Sequence, residues 1–137
     1  MSKLALIPVL LQASLTLGLA LAMGSQRVRA LREGRVRMKD IALGQPNWPV
    51  TIMAIDRAFH NQLELPLMFL GLVALAAATH AIGPVFIALE WVFVALRFAH
   101  AYVHVTSNDV PTRFYIFAAG FAALVALWVT FAIAALG

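Results

Sequence analysis

The sequence predicts an all-α membrane protein, a bundle of four transmembrane helices in one domain over residues 1–137. Hydrophobic residues make up 63% of the chain and charged residues only 12%, whereas a soluble domain is nearer half apolar and a quarter charged. The apolar residues form four long stretches, each near the roughly 20 residues that cross a bilayer as a helix. Six of the ten Lys and Arg residues fall in one short segment, as is typical of a loop retained in the cytoplasm.

The first span is predicted over about residues 4–24. The polar or helix-breaking residues that interrupt this apolar run are Pro8, Gln12, Ser14 and Thr16. A cleaved signal peptide is the alternative, because Ala20-Leu21-Ala22 resembles a cleavage site. However, the run is longer than a usual signal-peptide core and a basic segment follows it at once, so we expect the span to be retained.

The basic segment from Arg27 to Lys39 holds six basic residues and one acid, in a chain whose net charge is +4. In a soluble protein such a charge can indicate nucleic acid, but a short basic loop between spans is explained by membrane topology, so we expect no nucleic-acid partner. This loop is predicted to be cytoplasmic, with both termini on the opposite side. A second interpretation is an electrostatic funnel for anionic substrates or lipid head groups.

Three further spans follow, at about residues 50–78, 84–105 and 113–136. The second begins after a turn cluster in which Trp48 is placed to anchor at the membrane interface. Pro66 lies inside this span and predicts a kink there. The link between spans two and three is very short, so these two helices are expected to be antiparallel neighbours.

Two of the predicted spans carry a polar stripe. At 100° per residue, Arg57, Asn61 and Glu64 lie within roughly 60° of one another on span two. On span three, a second set lies within roughly 80°: Glu90, Arg97, His100 and His104. Glu64 and Arg97, or Arg57 and Glu90, have the charges to form ion pairs. Ionisable residues inside a membrane usually face a bundle interior or a wet cavity and mark a functional site.

The alternative is that these residues only hold the helices together, since polar side chains do join membrane helices. Such contacts mostly use Ser, Thr, Asn or Gln, and two arginines with two glutamates exceed that need. His60, His100 and His104 also raise the possibility of a metal or haem ligand set. No ligand motif accompanies them and the chain has no cysteine, so we predict no metal.

The pattern Arg57-x-x-x-Asn61-x-x-Glu64-x-Pro66 in a chain of four spans with a basic first loop resembles the MAPEG family. These are the membrane-associated proteins in eicosanoid and glutathione metabolism. The resemblance implies a four-helix bundle that assembles as a homotrimer and binds glutathione between neighbouring subunits. It also implies glutathione-binding roles for Arg57, Asn61, Glu64 and Arg97, and a thiolate-activating role for Arg113.

The chain departs from the synthases of that family. They carry tyrosine where this chain has Leu65, and tyrosines on span three where it has His100 and His104. The resemblance is therefore closest to an uncharacterised bacterial branch, which implies the bacterial inner membrane. His100 is expected to contact glutathione, and His104, or His100, to act as an alternative general base beside Arg113.

Three functions remain open from the sequence. The first is a glutathione-dependent transferase or peroxidase, in which glutathione is the co-substrate and a lipophilic molecule from the bilayer is the second substrate. The second is a non-catalytic trimer whose polar faces are structural or bind a lipid or anion. The third is a histidine-ligated redox or metal protein.

Overall fold

The computed structural model describes residues 3–137, which form five α-helices and contain no strand. The helices are α1 (Lys3–Arg32), α2 (Val50–His60), α3 (Leu65–Ala78), α4 (Pro84–Val105) and α5 (Val110–Leu136). Taking α2 and α3 together as one span, this described part holds four helical segments long and apolar enough to cross a membrane. The predicted fold class, an all-α membrane protein, is confirmed.

Span two is broken in the middle. Helix α2 ends at His60, a 3₁₀ turn covers Asn61–Leu63, and α3 starts again at Leu65. The kink predicted at Pro66 therefore lies a few residues earlier than expected. Pro66 has no N–H to donate to the carbonyl four residues before it, and it fits well in the first turn of a helix. The proline thus begins the second half of the span, and the irregular turn precedes it.

Helix α1 continues through the first half of the basic segment, which we expected to be a loop. At about 1.5 Å per residue its 30 residues reach roughly 45 Å, longer than the roughly 30 Å hydrocarbon core. Its end is tied to the middle of α2, because Arg27 Nη2 donates to Asp56 Oδ1 at 2.8 Å. The Arg27 guanidinium also lies 5.0 Å from the centre of the Trp48 ring, a cation–π contact.

Three of the six basic residues of the segment form ion pairs with acids in or directly beside it. Glu33 accepts from both Arg29 and Arg35, and Arg37 pairs with Asp40 at 2.7 Å. The hydrogen bond from Arg29 lowers the pKa of Glu33 below its ordinary value, so this carboxylate stays ionised. These pairs reduce the free positive charge that a funnel for anions would need.

The apolar core lies between α3, α4 and α5, in the half of the bundle away from the basic loop. Phe69 of α3 stacks on Phe93 of α4 with ring centroids 4.7 Å apart, and both are fully buried. Leu127 of α5 closes the cluster. A Cβ added at Gly120 would lie 3.9 Å from Leu96 Cβ, so α5 packs closely on α4 at this level. Most of the buried polar residues lie towards the basic segment, but Glu90 lies between the core residues Phe86 and Phe93 on α4.

Candidate functional site

The polar stripe of α4 faces the inside of the bundle. Its four residues are all buried: Glu90, Arg97, His100 and His104. Burying charge without partners is costly, yet both Glu90 oxygens lack a hydrogen-bond partner among residues 3–137. Arg97 Nε and Nη1 likewise have none within that range. These groups are shielded by the chain itself, so any further partner for them has to reach into the bundle.

The polar stripe of span two is placed differently from that of α4. Arg57 and Glu64 are exposed on the surface of the single chain, and Asn61 is half-buried. We expected the two stripes to bury each other, and only Asn61 makes that contact. Charged side chains at membrane depth are rarely left facing lipid. Within residues 3–137, Arg57 and Glu64 are nevertheless left uncovered.

Asn61 joins the two stripes because the helix breaks at this residue. In a continuous helix its carbonyl would accept from the N–H four residues later. Here Arg97 Nη2 donates to that carbonyl at 2.8 Å. The side-chain amide of Asn61 lies 3.4 Å from His104 Nδ1, a long hydrogen bond. One residue of the broken turn thus contacts both the buried arginine and a buried histidine.

A small open pocket lies beside this junction, with a volume of about 230 Å³. It is lined by Asn61, His100, Val110, Arg113, Phe114 and Phe117. The His100 ring lies 5.9 Å from the Phe117 ring and 5.7 Å from the His104 ring, both measured between centroids. The pocket thus has an apolar wall from α5 and polar groups from the 3₁₀ turn, α4 and Arg113.

Arg113 is held at the pocket by the start of α5. Asp109 caps this helix by accepting from the Thr112 N–H at 3.0 Å, and that interaction with Thr112 lowers the pKa of Asp109. The guanidinium of Arg113 donates to Asn108 Oδ1. It also lies within electrostatic range of His100 and His104. The positive, N-terminal end of the α5 dipole and the charge of Arg113 therefore both raise the positive potential at the pocket.

A model of the MAPEG family matches residues 5–133, nearly the whole chain. The chain belongs to the MAPEG family. No curated protein and no solved structure matches it. The family assignment therefore rests on the family model alone. The structure shows how the residues of the MAPEG pattern lie relative to one another.

The residues of the MAPEG pattern in span two lie on both sides of the break between α2 and α3. Arg57 precedes the 3₁₀ turn, Asn61 opens it, and Glu64 follows it with φ −96° and ψ −103°, outside the helical region. Pro66 sits at the second position of α3. The same three polar residues that lie on one face by helical angle are thus carried by three different backbone conformations.

The two ion pairs considered from the sequence do not form within residues 3–137. Arg97 donates to the Asn61 carbonyl and has Glu64 only within electrostatic range. Arg57 and Glu90 make no salt bridge in this part of the chain. Glu64 and Arg57 lie on the exposed side of the bundle.

The three histidines considered as ligands do not converge. His60 is exposed and its Nδ1 donates to the Asp56 carbonyl at 2.8 Å, on the side of α2 near the basic loop. His100 and His104 lie in the bundle. In the described chain, no group of three or more His, Cys, Asp or Glu side chains is arranged to hold a metal ion.

Two buried polar residues were not singled out from the sequence. Gln12 of α1 and Gln62 of the 3₁₀ turn are both buried, and Gln12 Nε2 donates to Gln62 Oε1 at 3.0 Å. Gln12 looked like one interruption of an apolar run, and Gln62 lies roughly 140° from Arg57 by helical angle. The position of Gln62 off the polar stripe could have indicated a separate buried contact, since a glutamine on the opposite face of a span needs its own hydrogen-bond partner.

Proposed function

We propose that this MAPEG protein binds glutathione at the junction of the 3₁₀ turn, α4 and α5, and activates its thiol toward a lipophilic electrophile. The observation that carries the proposal is the pocket in which Asn61, His100 and Arg113 meet next to the buried Arg97. It combines one guanidinium group, an amide and a histidine with an aromatic wall.

The charges of the site match those of glutathione. The peptide carries two carboxylates, one ammonium group and a thiol. The guanidinium groups of Arg57 and Arg97 suit the carboxylates, because arginine is permanently charged and can donate two parallel hydrogen bonds. Glu64 suits the ammonium group, and the Asn61 amide can donate or accept. The excess of positive over negative side chains fits a ligand with net negative charge.

The thiol is the group that Arg113 would act on. A nearby cation and a helix N-terminus both favour thiolate over thiol. His104, or His100, would accept the thiol proton as general base. The thiolate sulfur then attacks a carbon of the electrophile, a new carbon–sulfur bond forms, and the leaving group departs with its bonding electrons. The product is a glutathione thioether.

The complete site would need a neighbouring copy, so we propose a homotrimer with the site at the subunit boundary. Arg57 and Glu64 are exposed on one chain, and they lie within electrostatic range of His104 and Arg97 respectively. The pocket volume of about 230 Å³ is below the roughly 300–1,000 Å³ typical of ligand sites. A second subunit packed against this face would enlarge and cover the site.

The membrane location fits the second substrate. The aromatic wall of Phe114 and Phe117 would offer an electrophile dissolved in the bilayer an apolar path to the pocket. We propose the bacterial inner membrane as the location, with the basic segment cytoplasmic and both termini on the opposite side. In that orientation the pocket lies near the cytoplasmic end, where glutathione is abundant.

The binding proposal is tested by thermal unfolding of the purified protein in detergent. Millimolar glutathione should raise the Tm of the wild type, because a ligand that binds the folded state stabilises it. Arg57→Ala and Glu64→Ala should each reduce that shift, while His80→Ala, far away in the link between α3 and α4, should leave it unchanged. An unchanged shift in both site variants would show that these residues are not the ligand contacts.

The catalytic proposal is tested separately with 1-chloro-2,4-dinitrobenzene. The expected product is its glutathione conjugate with release of chloride, and Arg113→Ala should lower kcat at least about 100-fold if the cation stabilises the thiolate. The second candidate function is glutathione binding without turnover, which the replacement of the family tyrosines by His100 and His104 favours. Stabilisation by glutathione with no conjugate formed would support that function instead.

A further inference from the structure

A buried pair of amides connects the first helix to the broken turn. Gln12 and Gln62 lie 50 positions apart in the chain, and their side chains form a hydrogen bond of 3.0 Å inside the bundle. Neither residue lines the pocket described above. Gln62 is nevertheless the central residue of the 3₁₀ turn, between the two members of the polar stripe that follow α2, Asn61 and Glu64.

Gln62 also covers the end of α2. Its Nε2 donates to the Ala58 carbonyl at 3.2 Å, and the last carbonyls of a helix lack partners within the helix itself. The same side chain therefore does two things at once. It satisfies a backbone group where α2 stops, and it fixes that stopping point against α1 through Gln12.

The consequence appears at Asn61, the residue before Gln62. With α2 ended at His60, the Asn61 carbonyl is free to accept from Arg97 Nη2 at 2.8 Å, and its amide reaches His104. If the turn relaxed toward regular helix, that carbonyl would instead point along the helix axis to the chain's own N–H groups. Arg97 would then lose the one hydrogen-bond partner it has among the described residues.

We infer that Gln12 and Gln62 are positioning residues, which hold the broken turn so that Asn61 and Arg97 keep the arrangement that the proposed glutathione site needs. This inference rests on the proposed function. The competing explanation is that the two amides only join α1 to span two. The two explanations differ in what happens when both amides are removed together.

Removing one amide leaves the other buried without a partner, which is destabilising, whereas replacing both by apolar groups of similar shape can be nearly neutral. Gln12 Oε1 already has no partner between Lys3 and Gly137, so removal of both amides takes an unpaired atom out of the core. We therefore expect Gln12→Met and Gln62→Met to lower Tm, and the double variant to regain a large part of that loss but not all of it, because the Ala58 carbonyl and Arg97 still lose their partners. Gln26→Met, on the same helix and away from the pair, is the matched control.

Glutathione affinity should not recover in the double variant. We expect about tenfold weaker binding in both Gln62→Met and the double variant, since one charged hydrogen bond of the site is misplaced. Hydrogen exchange in the Asn61–Leu65 backbone should be faster in both than in the wild type. Recovery of affinity and slow exchange together with Tm in the double variant would overturn the inference and leave simple helix joining.

The exchange measurement does not depend on glutathione. If the wild type fails to bind glutathione, the proposed function fails, and backbone exchange alone still decides whether the amide pair holds the turn. Faster exchange in the double variant supports the positioning role, and wild-type exchange there refutes it. The two failures are thus distinguished within one set of variants.

Discussion

The buried carboxyl of Glu90 offers the sharpest test of how this bundle tolerates polar groups. Glu90 is fully buried in α4, and neither of its oxygens has a hydrogen-bond partner in the described chain. Replacing it by methionine keeps an unbranched side chain of similar length while removing both polar atoms. We predict that Glu90→Met is more stable than the wild type.

The size of the gain follows from the burial. An unpaired polar group buried in a protein costs about 1–3 kcal/mol in mutational data. Met at this position would remove that cost and fill the same space, so the gain should be about 1–3 kcal/mol. For a chain of this length that corresponds to a rise in Tm of roughly 3–10 °C. Glu90→Gln should show no gain, because it keeps a polar group without partners.

The assay is reversible or scan-rate-matched unfolding in one detergent, with tryptophan fluorescence and circular dichroism as probes. Glu64→Met is the control, because its carboxylate is exposed and should contribute little to Tm. A fall in Tm of Glu90→Met by a few degrees would refute the reasoning. That result would mean that the Glu90 oxygens have an enclosed partner, such as an ordered water molecule or a cation.

Two further predictions concern the core and the start of α5. Phe93→Ala should lower the free energy of unfolding by about 3–5 kcal/mol, since it removes a fully buried ring that stacks on Phe69. Phe98 is an exposed phenylalanine on the same helix, so Phe98→Ala should lower the free energy of unfolding far less in the same assay. For Asp109, the interaction with Thr112 lowers the pKa, so its contribution to stability is present above its unfolded pKa near 4 and is lost as pH falls through the lower folded value. Asp109→Ala should lower Tm at pH 7 and weaken the fall of Tm between about pH 5 and pH 3. Asp109→Asn, whose side chain is still a good helix cap, should keep the wild-type Tm at pH 7 and weaken only the pH dependence. An identical pH dependence of Tm in the wild type and both variants would contradict this prediction.

Much of the fold follows from composition and periodicity. Long apolar stretches and one basic segment are strong signals, because the bilayer sets the length of a span and the loop charge sets its orientation. The end of α1 was not predictable, since helix and loop are both compatible with a basic segment outside the hydrocarbon. Tertiary contacts decided it: Arg27 pairs with Asp56 on the next helix and lies over Trp48.

The candidate site was predictable as a set of residues and less so as an arrangement. The angular positions correctly gathered Glu90, Arg97, His100 and His104 on the inward face of α4. The helical angle could not show that span two leaves the helical path at Asn61, because one residue in a different conformation rotates everything after it. Which residues pair between two spans depends on how far the helices are shifted along their axes, and a single sequence does not contain this information. Neither suggested ion pair is present among the described residues.

The broken span also divides the bundle mechanically. Helix α2 is fastened to α1 by the Arg27–Asp56 ion pair and, through the turn, by Gln12. Helix α3 belongs to the aromatic core with α4 and α5. The 3₁₀ turn between them forms a hinge beside the pocket. A ligand that binds both Asn61 and Arg113 would therefore link these two parts of the bundle and restrict motion at the hinge.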